Sequence, residues 1–213
     1  VWINQSGSQV TSGGGNVTVT GIEGGGASNT ALLVMAGSAS TVADGGSLTL
    51  VGNSMLFDAT STIGASAAST VTLRPRTIGT AINLGGADGS GTLGLTDAEL
   101  DRVTAGTVQI GDANSGALTV SGATAITHAN HLSLSTGAGL TVSQAISMAA
   151  GKTLTVRADS VDIQTNVTAS AGVTLEPLTP ARTIGLDADT GGLDLSSAEL
   201  GRLSAGTVTV GAG

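Results

Sequence analysis

The chain has 213 residues, with 34 Gly, one Trp, one Phe, no Tyr, no Cys and only 10% charged residues. The missing cysteines exclude a disulfide framework, a thiolate nucleophile and a Cys-ligated metal, and the scarcity of aromatic and ionisable groups argues against a compact enzyme domain with an aromatic-lined pocket. Seven basic against 15 acidic residues, a net charge of −8, disfavour nucleic acid and anionic membrane surfaces, because both require a positive field.

In chain order, short alternating segments are separated by Gly, Ser, Asn and Asp. They are centred on Val17/Val19, Leu48/Leu50, Val71/Leu73, Leu93/Leu95, Val108/Ile110, Leu118/Val120 and Leu132/Leu134, then Leu140/Val142, Leu154/Val156, Val161/Ile163, Val173/Leu175, Leu193/Leu195 and Val208/Val210. A small or polar residue stands between the two apolar ones, so each pair predicts a short strand with one buried face. Thirteen such strands are expected. The longest apolar run, Ala31 to Ala36, is far too short to cross a bilayer. The chain opens Val1-Trp2 with no signal-like segment, and is expected to be a section of a longer or processed protein.

Two places predict a single helical turn. Thr96-Asp97-Ala98-Glu99 and Ser196-Ser197-Ala198-Glu199 fit the capping box, and only Leu-x-Arg follows before Ala-Gly. Glu99 with Arg102, and Glu199 with Arg202, fall at a spacing that allows pairing across the turn. These turns are expected to be structural corners between strands.

The two places belong to an internal repeat. Leu93 to Gly111 and Leu193 to Gly211 are identical at 11 of 19 positions, at an offset of 100. Upstream, Val71 to Pro75 matches Val173 to Pro177 at an offset of 102, and Arg-Thr-Ile-Gly recurs at Arg76 and Arg182. The division expected is Gly/Thr-rich coils over 1–70, one repeat module over 71–172 and the start of a second over 173–213, all in one continuous segment. A repeat built of short strands, with almost no aromatics and without clean two-residue Asn-Gly or Asp-Gly hairpin turns between paired strands, selects a solenoid over a sandwich or barrel. The fold class expected is all-β, a parallel β-helix with one-turn helical corners.

The run from Val71 to Ala123, with the similar run Val173 to Gly211 and the Gly-Gly-x-Val-Thr-Val coils at Gly13–Gly21 and Gly45–Gly52, resembles the repeat regions of large bacterial secreted adhesins of the filamentous-haemagglutinin type. The Ala-Glu-Leu-x-Arg-hydrophobic-x-Ala-Gly-Thr block is the distinctive part. The resemblance implies a right-handed parallel β-helix shaft, exported through a partner pore in the outer membrane and displayed or shed at the bacterial surface. The family's secretion domain is not evident here. The expected function is therefore that of a stiff rod for attachment or self-assembly, associating with or continuing into further copies of the repeat, with a cell-surface receptor as a further partner.

No catalytic, cofactor-binding or metal-ligating residue is assigned. His128 and His131 form the sole histidine cluster and are expected to be solvated turn residues, with rings on different faces. The acidic Gly-rich loops at Gly85–Gly91 and at Asp187-Ala188-Asp189 offer oxygen ligands of the kind Ca²⁺ takes, but neither matches a known Ca²⁺ repeat, and plain turns are expected. A polysaccharide-acting enzyme would need converging carboxylates; Asp159 and Asp162 near Arg157 are the nearest approach to such a set. Thr-x-Thr pairs at Thr18/Thr20, Thr70/Thr72, Thr153/Thr155 and Thr207/Thr209 raise ice binding as an alternative to ordinary outward hydroxyls. Trp2 is expected either at an interface or as a cap over the terminal coil.

Overall fold

A computed structural model describes residues 1–213 apart from 5, 24–29, 36–38, 44, 123–125, 188–190 and 212–213. The chain is nearly all β. It advances in circuits of three strands, with a fourth in two of them, and most strands pair with their counterparts in the neighbouring circuit. The first three circuits are β1 (Trp2–Asn4), β2 (Gln9–Gly13) and β3 (Val17–Thr20), then β4 (Leu32–Met35), β5 (Ala39–Ala43) and β6 (Leu48–Val51), then β7 (Met55–Phe57), β8 (Thr62–Ala65) and β9 (Thr70–Arg74). The fourth is longer, with β10 (Ala81–Leu84), β11 (Thr92–Leu95), α1 (Asp97–Leu100), β12 (Val103–Thr104) and β13 (Thr107–Ile110). Three regular circuits follow: β14 (Leu118–Val120), β15 (Ile126–His128) and β16 (His131–Ser135); β17 (Gly139–Val142), β18 (Ile146–Met148) and β19 (Thr153–Arg157); β20 (Ser160–Ile163), β21 (Val167–Ala169) and β22 (Gly172–Glu176). The eighth repeats the long form as β23 (Ile184–Leu186), β24 (Leu193–Leu195), α2 (Ser197–Leu200), β25 (Leu203–Ala205) and β26 (Val208–Val210).

All ladders between these strands are parallel. The last strand of every circuit enters one eight-stranded sheet, ordered from β3 through β6, β9, β13, β16, β19 and β22 to β26. Its register aligns Val19, Leu50, Leu73, Ile110, Leu134, Val156, Leu175 and Val210 in one column. All but Val210 are buried, and the column belongs to a core to which every sheet contributes. A strand with Val or Leu at alternate positions has one apolar face, and parallel stacking converts those faces into a continuous aliphatic column. The other circuit positions form β1–β4–β7, β11–β10–β14–β17–β20 and β23–β24, and on the remaining side β2–β5–β8–β12 and β15–β18–β21–β25.

The thirteen alternating pairs read from the sequence occupy all eight strands of the long sheet, together with β11, β14, β17, β20 and β24. Thirteen further described strands were not anticipated. Eight of them have only two or three residues, as in β21, where Val167 and Ala169 face inward. Such a strand is held by the circuits on either side rather than by its own alternation.

The fourth and eighth circuits double a strand. The chain lays β10, turns through 85–91, and returns to place β11 beside it in parallel register, Ile82 opposite Leu93 and Leu84 opposite Leu95. β11 lies on the β7 side, while β10 pairs with β14 of the next circuit. β23 and β24 repeat this arrangement, with β24 against β20. The Ala-Gly-Thr after each helical turn is imposed by close approach: a Cβ on Gly106 would stand 2.3 Å from the Ala67 carbonyl oxygen, and one on Gly206 2.5 Å from that of Ser170. No helix among the described residues is long and apolar enough to cross a membrane.

Candidate functional site

The residues that set this chain apart from a plain stack of strands gather at the two helical corners. At the first, the Glu99 N–H donates to Thr96 Oγ1 at 3.3 Å, and Glu99 Oε2 accepts from the Thr96 N–H at 3.0 Å. That closes the capping box read from the sequence. The other oxygen, Oε1, accepts the Phe57 N–H of the preceding circuit at 3.2 Å, and Arg102 Nε donates to the Asp58 carbonyl at 3.1 Å. Asp88, on the 85–91 turn, accepts the Met55 N–H at 3.0 Å and the Gly94 N–H at 2.8 Å. The Met55 and Phe57 N–H groups of β7 thus meet carboxylate oxygens instead of the carbonyls of a neighbouring strand. The doubled strand interrupts the ladder, and Asp88 and Glu99 complete it, since a buried N–H left without an acceptor costs about 1–3 kcal/mol.

The second corner repeats the device. Glu199 Oε2 accepts from the Ser196 N–H at 2.8 Å, its Oε1 accepts the Ile163 N–H at 3.1 Å, and Arg202 donates to the Ile163 carbonyl at 2.6 Å. The expected Glu99–Arg102 and Glu199–Arg202 ion pairs are therefore replaced by a division of labour. Each Glu takes an N–H, and each Arg gives to a carbonyl, on the edge of the preceding circuit. Neither pair is among the ion pairs of the described residues.

A groove of about 510 Å³ opens at the first corner, lined among others by Leu56, Phe57, Asp88, Thr96, Glu99 and Arg102. Burial pushes the Asp88 carboxyl up to about 6 against the lowering effect of the Gly94 and Met55 N–H groups, and the charges of Glu99 and Glu23 raise it further. Asp88 remains exposed as a residue, yet both its oxygens are turned onto backbone donors. A cation here would have to displace those N–H groups, so the Gly85–Gly91 loop acts as a backbone cap. At the second corner, the Ser197 hydroxyl and N–H donate to Asp187 and hold its carboxyl below the usual range. Ala188 and Asp189 of that loop lie outside the described residues. No group of three or more potential metal ligands occurs among the described residues. Burial opposes ionisation of Glu199, but the Ser196 and Ile163 donors and Arg202 outweigh it and keep its carboxyl low.

The two histidines separate as their spacing requires, but His128 is not a solvated turn residue. β15 turns Ile126 and His128 inward, and His128 is 4% exposed with both ring nitrogens unpartnered. Burial lowers its pKa against the raising effect of Asp101 and Asp97. A shallow recess of about 320 Å³ adjoins it, lined in part by Asp101, Thr127 and Met148. His131 faces outward on β16, its Nδ1 accepting the Thr153 N–H at 3.2 Å.

The acidic set around Arg157 does not converge. Arg157 pairs with Glu176 at 2.8 Å, Asp159 accepts from the Thr179 hydroxyl and N–H, and Asp162 takes Gln164 on a different sheet. Trp2 projects outward from β1 at 71% exposure, while its neighbour Ile3 points into the core; Trp2 does not cap the core. Two polar contacts carried no sequence signal, because their partners lie 25 to 30 residues away: Asn130 accepts the buried Ala105 N–H, and Asp97 accepts the Thr127 N–H.

The outer face of the long sheet carries an aligned polar column. By register Thr18, Thr49, Thr72, Gln109, Ser133, Thr155, Thr174 and Thr209 form a single column that all eight strands share. The four Thr-x-Thr pairs thus belong to one face. Comparison with protein-family models, with curated proteins and with solved structures finds no match to this chain.

Proposed function

We propose that the chain is a section of a right-handed parallel β-helix that forms the stiff shaft of a large extracellular bacterial adhesin or surface fibre, of the filamentous-haemagglutinin type it resembles in sequence. The observation that carries this reading is the eight-stranded sheet, in which the last strand of each circuit stacks in parallel on its predecessor with an aliphatic column inside and an outer column that is hydroxyl-bearing but for Gln109. Repetition of one structural unit along an axis gives stiffness without aromatic-rich cores, and strand spacing sets a rise of about 4.7–4.9 Å per circuit. Right-handedness follows from the strong bias of parallel strand crossovers. The carboxylates at the corners support a mechanical role, because they serve the backbone of the preceding circuit. Immunogold electron microscopy of producing cells with antibody against this chain tests the reading: label on rods or fibres beyond the cell surface supports it, and label confined to the cell interior overturns it.

The aligned hydroxyl column favours one second reading, an ice-binding face. Ordered hydroxyls repeat at strand spacing along the stack. Thermal hysteresis of the purified chain is its measure, and a chain without hysteresis dismisses it.

A further inference from the structure

The core is aliphatic almost throughout, and one inward column departs from that rule. In the sheet β15–β18–β21–β25 the first inward column is Ile126, Ile146, Val167 and Leu203, whereas the second begins with His128 and Met148 and ends in two alanines. His128 and Met148 stand directly opposite each other on adjacent parallel strands of the fifth and sixth circuits. They are 4% and 6% exposed, and both line the recess of about 320 Å³ described above.

Among the described residues, the buried side-chain polar atoms without a partner are Arg182 Nε and the two ring nitrogens of His128. Arg182 donates to the Gly191 carbonyl through Nη2, so His128 is the one of the two whose whole hydrogen-bonding capacity is buried and unused. A buried orphan of this kind calls for a physical reason. Beside it lies a thioether, a weak acceptor for an imidazole N–H, but imidazole nitrogen and thioether sulfur are both uncharged metal donors. Two such donors are too few for zinc, which takes at least three protein ligands, and are the wrong kind for Ca²⁺ or Mg²⁺, which require oxygen. Thioether sulfur selects the cuprous ion, for which two donors in line suffice. Metal bonds of about 2.0 Å to imidazole nitrogen and about 2.3 Å to sulfur span about 4.3 Å in line, within the spacing of about 4.8 Å between adjacent strands. A single positive charge also suits the place, because Asp101 lines the same recess and the charges that reach the His128 ring are those of Asp101 and Asp97.

We propose that His128 and Met148 form a binding site for a soft monovalent cation, the cuprous ion or its air-stable analogue Ag⁺, held between imidazole and thioether with Asp101 as countercharge. The ion enters through the recess, and its ligation ties β15 to β18 across two circuits. The site is independent of the shaft reading, since it stands on these two side chains.

Silver(I) added to the metal-free chain in chloride-free buffer tests this, followed by NMR of the methionine methyl and imidazole signals. One equivalent is expected to shift the Met148 methyl and the His128 ring together and to leave those of Met55 and His131 in place. Cuprous ion competed against a chromophoric chelator is expected to bind with the same stoichiometry, and the bound ion to raise the unfolding temperature. Met148→Leu, which keeps the volume of the site, and His128→Leu are each expected to weaken binding by at least about tenfold. A chain that takes up neither ion, silver shifts confined to Met35, Met55 or His131, or a Met148→Leu chain that binds as tightly as wild type overturns the proposal. Circular dichroism checks the fold of both variants, and should either unfold, the wild-type spectra decide alone.

Discussion

The two repeat copies carry similar residues through nearly the same backbone, yet one is flanked by circuits on both sides and the other is the last circuit of the described residues. Leu100 and Val103 are fully buried, whereas Leu200 and Leu203 are half-buried; Glu99 is 8% exposed, whereas Glu199 is only partly covered. Both copies keep the capping box and the Glu and Arg contacts to the preceding circuit. Contacts made backwards along the stack are thus complete within each copy. Contacts made forwards depend on the next circuit, as expected where each repeat touches only its neighbours.

The sharpest way to break this comparison is to truncate two leucines that hold the same register position, Leu84 opposite Leu95 and Leu186 opposite Leu195. Leu84→Ala is expected to cost about 3–5 kcal/mol and Leu186→Ala under about 1 kcal/mol, because the first opens a cavity and the second removes an exposed side chain. Urea midpoints at low protein concentration measure both, and equal losses would show that the copies are energetically alike. Next, Glu99→Ala is expected to cost about 2–3 kcal/mol through the cap and the orphaned Phe57 N–H, and Glu199→Ala about half as much. Faster amide exchange localised to Phe57 and Ile163 respectively would tie each loss to its ladder substitute.

The circuit that covers the first copy carries His128, which sharpens the comparison with pH. A pKa held below its unfolded value means that the unfolded chain binds the proton first, so stability is full above about pH 6.5 and falls as the pH drops through that value. His128→Leu is expected to abolish that part of the profile and to raise stability at neutral pH by about 1 kcal/mol, since an unpartnered buried imidazole is replaced by an apolar group. The smallest effect lies in the acidic turns. Asp88, raised to about 6, favours the folded state most below its unfolded pKa, and this contribution is lost as the pH rises through 6. Asp187, held low, behaves in the opposite sense. Carbon-detected NMR titration should find the Asp88 midpoint near 6 and the Asp187 midpoint below the ordinary aspartate range, and a common midpoint would remove the distinction between the two turns.

The strands of the long sheet were legible because each offers two large aliphatics two residues apart, as in Leu132-Ser133-Leu134. The helical corners were legible because a capping box is a local hydrogen-bond pattern. β15 was not: Ile126-Thr127-His128 reads as a turn entry until Ile146-Ser147-Met148 stacks on it in register. The backbone caps on Asp88 and Glu99 were equally hidden, since Met55 and Phe57 stand 33 and 42 residues away in sequence.

Alternation, glycine placement and duplication determine by themselves that this chain makes short parallel strands with one apolar face, because these depend on side-chain period and backbone sterics within a few residues. Which carboxylate closes a broken ladder, which histidine is buried and which copy of an identical leucine sees water were decided by the tertiary structure alone. Each of those depends on what the neighbouring circuit brings across a gap of about 4.8 Å, and no local pattern encodes that.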